Sequence, residues 1–418
     1  MAPASARGLA LAALEEWRHG HRFADAILRE LLNRGSLSGS DRGFATELFY
    51  GVLRNLTLLD FWLANLRSAS LDDRSRDLLR IGLYQLFCLR IPDHAAVFET
   101  VKLASKNSRS LVNAVLRNAL RRADELQNKT HSAELAIQTS HPQFLVERWR
   151  KAFGADATST LCRWDNHPAP MYARVNRLKI PVEQFLAADA TREFAPKSSN
   201  FVRVSNIPHD ALERGECYIQ DPSTSIACEL LDPKPGDIVL DACAAPGGKT
   251  GYLAELMQNR GELVACDCDL DRIKVLGSNL RRLGVTISQL IQQNWSAANV
   301  TAELRGRQFD RILIDAPCTN SGVMRRRVDV RWRLRPEDFA RMAAAQCAIV
   351  EAVVPLLKPG GTVVYSTCSI DAEENEGVLQ RLLSVFPWLQ MEAQQSVLPF
   401  RDDIDGAFAA RLTRDPNE

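Results

Sequence analysis

The sequence predicts an α/β protein in three parts. A mainly parallel sheet occupies residues 236–418, preceded by an all-α region over 1–135 and a small mixed α/β connecting segment over 136–235. Three observations carry this. In the first part apolar residues recur at helical spacing, as Ala10, Leu14 and Trp17 do, with no alternating strand pattern between them. In the second, chain breakers accumulate: Pro168, Pro170, Pro181, Pro196, Pro208, Pro222, Pro233 and Pro235. In the third, short apolar runs that close on a polar residue alternate with helix-period segments, the signature of βαβ units buried on both faces.

The helical part repeats its pattern at Phe44, Leu48 and Val52, and again at Val112, Val115, Leu116, Ala119 and Leu120. Ser40-Asp41 is the expected cap of the Phe44 helix. In the connecting segment Met171–Val175 and Phe201–Val204 read as short strands. In the last part the expected strands are Ile238–Asp241, Leu263–Asp267, Ile312–Asp315 and Thr362–Tyr365. Helices are expected around Ile273, Leu276, Leu280 and Leu283, and around Phe339, Met342, Ile349 and Val353. Ligands of such sheets bind beyond the C-terminal strand ends, so the acids closing three of these strands should meet in one crevice.

The bulk numbers exclude more than they assign. Lys and Arg total 52 against 51 Asp and Glu, so no global basicity advertises nucleic acid and any such signal must be local. The ten cysteines are scattered without a CxxC pair, which gives a metal site no support and fits reduced thiols in a cytoplasmic protein. No uninterrupted run of 18 apolar residues occurs, so no membrane partner is expected.

The chemistry lies in three motifs. Asp241-Ala242-Cys243-Ala244-Ala245-Pro246-Gly247-Gly248-Lys249-Thr250 follows the first strand of the sheet and opens a helix. Asp267 closes the next strand 20 residues after Gly247, near the spacing at which an acid reaches a ribose hydroxyl pair. The loop lacks the G-x-G-x-x-G of a dinucleotide site. It also lacks the first glycine of a P-loop, so Lys249 is not expected to hold a phosphate. An adenosine cofactor without a pyrophosphate, such as S-adenosylmethionine, fits this loop best. The other two motifs, Asp315-Ala316-Pro317-Cys318 and Ser366-Thr367-Cys368-Ser369, end the fourth and fifth strands. A single free cysteine is commonly a small buried hydrophobe; two beside an acid at the open edge of such a sheet point to catalysis.

In this order and spacing, DACAAPGGKT, DAPC and STCS resemble the motifs of the Nol/Nop/Sun family of RNA cytosine-C5 methyltransferases. Tyr218-Ile-Gln-Asp-Pro-Ser223 resembles that family's lead-in, and Asp405-Gly-Ala-Phe-Ala-Ala-Arg-Leu412 its closing strand. The segments Asp41–Asn55, Gly82–Leu86, Ile91–Ala95 and Leu111–Asn118 resemble a NusB-type RNA-binding domain. The combination is similar to the bacterial Fmu/Sun/RsmB methyltransferases of 16S ribosomal RNA, over nearly the whole chain.

The resemblance implies a Rossmann-like methyltransferase domain that binds S-adenosylmethionine and RNA and acts without metal as a monomer. It sets the methionine end of the cofactor against Cys243, Ala244, Ala245, Pro246, Gly247, Gly248 and Lys249, and the ribose against Asp267. The adenine falls near Asn294, where the family has an acid. Val328 stands where the family has proline. The resemblance makes Cys368 the nucleophile and Cys318 the residue that assists release, while Asp315 is placed to bind N3 of the target base. A thiolate at Cys368 calls for a nearby positive charge, since an ordinary thiol titrates at about 8.5. Met324–Arg335, with six arginines and Trp332, is an expected RNA contact. Arg109, Arg117, Arg121 and Arg122 form a second basic patch. The rival readings are a transfer-RNA cytosine methyltransferase, a small-molecule methyltransferase and a non-catalytic RNA-binding or ribosome-assembly protein. The intact pair of cysteines with Asp315 argues against the last.

Overall fold

The computed structural model describes residues 5–417 apart from 21, 196–198 and 297–299; Pro196 lies outside the described residues. The chain divides into two compact units, one of Met1–Pro168 with Met324–Leu334, the other of Ala169–Val323 with Arg335–Glu418.

The first unit is helical, from Ala6–His19 to Ala155–Asp165. Its core takes the periodic residues in order: Ala10 and Leu14 from the first helix, Leu48 and Val52 from Gly39–Arg54, Val112, Leu116 and Ala119 from Arg109–Arg121. The cap of Gly39–Arg54 is Ser38, not Ser40-Asp41. The Ser38 hydroxyl accepts the Asp41 amide at 3.2 Å and donates to its carboxylate at 2.8 Å. Ser38 and Asp41 stand three apart, the spacing at which a cap side chain reaches an unpaired first-turn amide.

Met324–Leu334 completes this unit, and several arginines of the run expected to contact RNA are engaged by the protein itself. Val328 is fully buried in the helical core, so the valine that replaces the family's proline is a packing residue. Asp329 accepts the Ala24 amide at 2.9 Å, at the start of the helix Ala24–Arg34, where a carboxylate offsets unpaired amides. Trp332 donates its indole N–H to the Leu53 carbonyl at 2.8 Å. Arg331 is wholly buried and donates to Asn166 Oδ1 at 2.7 Å and to the carbonyls of Ser140 and Asp165, each at 3.3 Å. Arg325 lies 4.5 Å over the Trp164 ring and donates to the His167 and Pro168 carbonyls at 3.1 and 3.0 Å. Arginines suit these places because the planar fork meets several carbonyls at once and stacks on an aromatic face. Of the first three, Arg327 is exposed and Arg325 and Arg326 are half-buried.

The second unit holds two sheets. Strands β1 (Met171–Val175), β2 (Glu193–Phe194), β3 (Phe201–Val204) and β4 (Cys217–Ile219) form a small antiparallel sheet in the order β2-β3-β1-β4. Strands β5 (Ile238–Asp241), β6 (Glu262–Asp267), β7 (Ser288–Gln292), β8 (Phe309–Asp315), β9 (Leu357–Thr367), β10 (Leu389–Val397) and β11 (Ala407–Arg414) form the large one. Its order is β10-β11-β9-β8-β5-β6-β7. The five strands from β9 to β7 run parallel, while β11 is antiparallel to both its neighbours. The small sheet is joined to the large one through a buried pair, Arg174 of β1 with Glu255 at 2.6 Å. Glu255 belongs to the helix Gly248–Leu256 that follows the glycine loop.

By length and hydropathy, Pro336–Leu356 could cross a membrane. In the structure it is a flanking helix whose Ile349, Val350 and Val353 join the core of the large sheet.

Candidate active site

After β5 the connections first build β6 and β7 on one side and then β8 and β9 on the other, so the strand order reverses between β5 and β8. The crevice at such a switch point is the natural ligand site. Asp241, Asp267 and Asp315 end β5, β6 and β8, and Thr367 ends β9 just before Cys368. Cys243 sits among the three acids. Burial, then Asp241, Asp315 and Asp267, push its thiol well above the ordinary range.

The loop after β5 is sewn to its neighbours: the Ala242 amide donates to the Leu313 carbonyl at 2.9 Å, and the Ala244 amide to the Cys266 carbonyl at 2.8 Å. Arg272 and Asn279 hold the Ala245 and Pro246 carbonyls at 2.8 and 2.9 Å, across a cis peptide. Gly247 has φ +105°, and a Cβ there would lie 2.8 Å from Leu276 Cδ1. A Cβ on Gly248 would press on Tyr218 at 3.0 Å. Both glycines therefore let the chain pack on itself.

Lys249 turns toward β8 and pairs with Asp315 at 2.7 Å. Burial alone would lower its pKa, but Asp315 more than offsets this and holds the ammonium charged, and the Cys368 sulfur also bears on it. Lys249 is a residue the sequence assigned to the cofactor loop. Ser366 donates to the other Asp315 oxygen at 3.4 Å. The Cys318 and Cys368 sulfurs are 3.1 Å apart, and Cys368 also reaches Asn320 Oδ1 at 3.3 Å. Asn320 has φ +60°, an αL conformation that asparagine tolerates better than most residues. Cys318 lies well above the ordinary thiol range, first through its bond with Cys368, then through burial. The two cysteine loops touch through backbone: the Gly322 amide donates to the Cys368 carbonyl at 3.0 Å, and a Cβ on Gly322 would meet that oxygen at 2.7 Å.

The outlying candidates are held differently. Asp267 is 4% exposed; it accepts the Asp269 amide at 3.1 Å and pairs with Arg272 at 3.3 Å. Each carboxylate oxygen has about two lone pairs, so acceptor capacity remains for a ribose. Asn294 is exposed beyond β7, its amide oxygen accepting the Ser296 amide at 3.0 Å. Asp241, which the sequence read only as a strand end, is buried. One oxygen accepts the Thr250 hydroxyl at 2.7 Å, while Oδ1 takes no well-formed hydrogen bond from the described residues. Burial chiefly, with Asp315 adding, lifts its pKa to about 7. A buried acceptor left open at the strand end fits a cofactor that brings donors of its own. Glu374 was also missed; it lies in the acid-rich Asp371–Glu376, which reads as solvated surface, yet it is fully buried beside Cys318.

A Rossmann-like sheet with an adenosine-cofactor loop at its switch point defines an S-adenosylmethionine-dependent methyltransferase. Three family models match: "16S rRNA methyltransferase RsmB/F" over 228–413, the NusB family over 4–121 and the RsmF/B-like ferredoxin-like domain over 141–203. The chain is 35% identical to the "Probable ribosomal RNA small subunit methyltransferase B" of Bacillus subtilis (strain 168), covering 96% of this chain and 95% of the relative. Among solved structures it matches PH0851 with TM-score 0.78 and 27% identity, covering 97% of this chain and 98% of that one. It shares a fold with NSun6 from Pyrococcus horikoshii with SFG (TM-score 0.60, 22% identity, 66% of this chain and 99% of that one). The chain belongs to the RsmB/F methyltransferase family.

Proposed function

We propose that the chain methylates carbon 5 of a cytosine in 16S ribosomal RNA in the bacterial cytoplasm, through a covalent bond from Cys368 to carbon 6 of the base. The observation that carries this reading is the pair of sulfurs 3.1 Å apart beside the Lys249–Asp315 ion pair. Carbon 5 of cytosine is a weak nucleophile. Addition of the Cys368 thiolate at carbon 6 turns the ring into an enamine whose carbon 5 can attack; this is covalent catalysis. The negative charge that the addition places on the ring is relieved by a proton at N3, and Asp315 serves there only in its protonated form, as a donor. S-adenosylmethionine supplies an electrophilic methyl group, held by the 243–249 loop and Asp267, with Asn294 toward the adenine. Loss of the carbon-5 proton then restores the double bond and breaks the Cys368–carbon 6 bond. Cys318, in contact with the departing sulfur, assists that release.

The target base must be single-stranded or flipped out, since the duplex stack hides carbon 6. In this reading residues 1–135 bind RNA, 136–235 connect and 236–418 catalyse, in line with the order of the three family models. Arg109, Arg117 and Arg121 support the first role. They are exposed along the helix Arg109–Arg121, with Lys102 and Lys106 exposed in the stretch before it, and no acid occurs between Glu99 and Asp124. Arg122 is engaged instead, paired with Glu125 at 2.7 Å. The test is transfer of labelled methyl to 16S ribosomal RNA followed by nucleoside analysis. Label in 5-methylcytidine is expected; label in any other nucleoside, or none with transfer RNA labelled instead, overturns the reading.

Asp267→Ala is expected to weaken S-adenosylmethionine binding while the fold survives. Losing a hydrogen bond to a charged group costs roughly 1.5–3 kcal/mol, or about 10- to 150-fold in affinity. Calorimetry on the folded variant checks it, and unchanged affinity removes Asp267 from the cofactor site.

A further inference from the structure

We propose that Glu374 is the positioning residue that sets the two cysteine loops against each other, and that its negative charge makes the two sulfurs chemically unlike. This rests on the roles given above to Cys368 and Cys318.

The Glu374 side chain is 0% exposed, and among the described residues no lysine or arginine pairs with it. Its carboxylate is met by hydrogen-bond donors instead. The Thr319 amide donates at 2.9 Å and the Thr319 hydroxyl also donates. The Ser369 hydroxyl donates at 2.7 Å and the Gln346 amide at 2.8 Å. Four donors match the roughly four lone-pair positions of an ionised carboxylate, and these bonds oppose the burial that pushes its pKa up. Thr319 follows Cys318 and Ser369 follows Cys368, so this one carboxylate is bonded to the residue after each sulfur.

The brace is itself fixed. Gln346 also donates to the Pro317 carbonyl at 2.9 Å, and the Tyr365 hydroxyl donates to the Glu374 carbonyl at 2.6 Å. The anion bears on Cys318, whose neighbour Thr319 it holds, while Lys249 is paired with Asp315. A nearby anion favours a thiol and a nearby cation a thiolate. The arrangement suits one sulfur that attacks and another that stays protonated beside it.

The test uses Glu374→Gln and Glu374→Asp in the full chain. Alkylation of each cysteine by iodoacetamide is followed across pH by peptide mass, and methyl transfer is measured in a single turnover. Removing the anion should lower the pH at which Cys318 reacts, by about one unit if the charge is that close, with Cys368 within twofold of wild type. Methyl transfer should fall at least about tenfold with S-adenosylmethionine affinity unchanged, and Glu374→Asp should restore part of it, since a shorter carboxylate keeps the charge. Wild-type alkylation profiles and rate in Glu374→Gln overturn the inference. If Glu374→Gln fails to fold, Ser369→Ala and Thr319→Val each remove one strut. Slower transfer in both supports the brace, and wild-type rates in either overturn it. If the wild-type chain makes no 5-methylcytosine, the proposed function fails, while the alkylation profiles still decide whether Glu374 bears on Cys318.

Discussion

Cys318→Ala is expected to trap the enzyme on its substrate. With Cys368 intact, attack at carbon 6 and methyl transfer proceed, but release stalls for want of the neighbouring sulfur at 3.1 Å. A covalent protein–RNA species should accumulate and survive denaturing electrophoresis. Cys368→Ala should form no such species and lose methylation to background, and the double variant should behave like Cys368→Ala. The reverse pattern, with the adduct in Cys368→Ala and none in Cys318→Ala, would exchange the two roles. Full activity in both variants without any adduct would remove cysteine from the mechanism. The experiment separates residues that the fold makes near neighbours, because the chemistry uses one attacking sulfur per turnover.

The second large effect is on stability. Arg331→Met should destabilise the helical unit by about 3–5 kcal/mol, the usual consequence of removing one member of a buried charged cluster. For a unit of this size that is a fall in Tm of roughly 6–20 °C, read by thermal unfolding. Burial lowers the Arg331 pKa to about 10, with Asp165 opposing. His141 lies 3.5 Å from Asp165, and burial, then Arg331, hold its pKa well below the ordinary value. The sign of its pH effect follows. Above about pH 6.5 the ring is neutral in both states and contributes its full share. Below it the unfolded chain takes up a proton that the folded one refuses, so stability falls with acidity. Unchanged melting of Arg331→Met would mean that the buried guanidinium is replaceable by packing alone.

The sheet was legible where its strands are buried on both faces. Ile238–Asp241 is observed at those limits, and the runs at 263–267, 312–315 and 362–365 lie within β6, β8 and β9. Strands at the edges left no such trace. Ser288–Gln292 carries two apolar residues of five, and Leu389–Val397 buries only its ends. Edge strands of this kind are stabilised by backbone pairing more than by side-chain burial. At the site, strand-end acids and cysteines were readable because each terminates a hydrophobic run. Glu374 was not, because its burial depends on Thr319, Ser369 and Gln346 arriving from distant parts of the chain. The engagement of arginines in the 324–335 run was hidden for a related reason. Charge density along a sequence does not distinguish a guanidinium facing solvent from one whose carbonyl partners lie some 160 to 190 residues earlier.

That long separation has a temporal side. The helical unit is assembled from two stretches of chain, and the second, Met324–Leu334, supplies Val328 to its core and partners to the Ala24 amide and the Leu53 carbonyl. A chain emerging from the ribosome exposes the first stretch early but must wait about 170 further residues for the second, roughly 10–30 s at ordinary rates of synthesis. During that interval the amino-terminal helices hold an unfinished core with an open seam. The part of the protein made first is therefore among the parts finished last, and a fragment ending at Pro168 would carry that seam permanently.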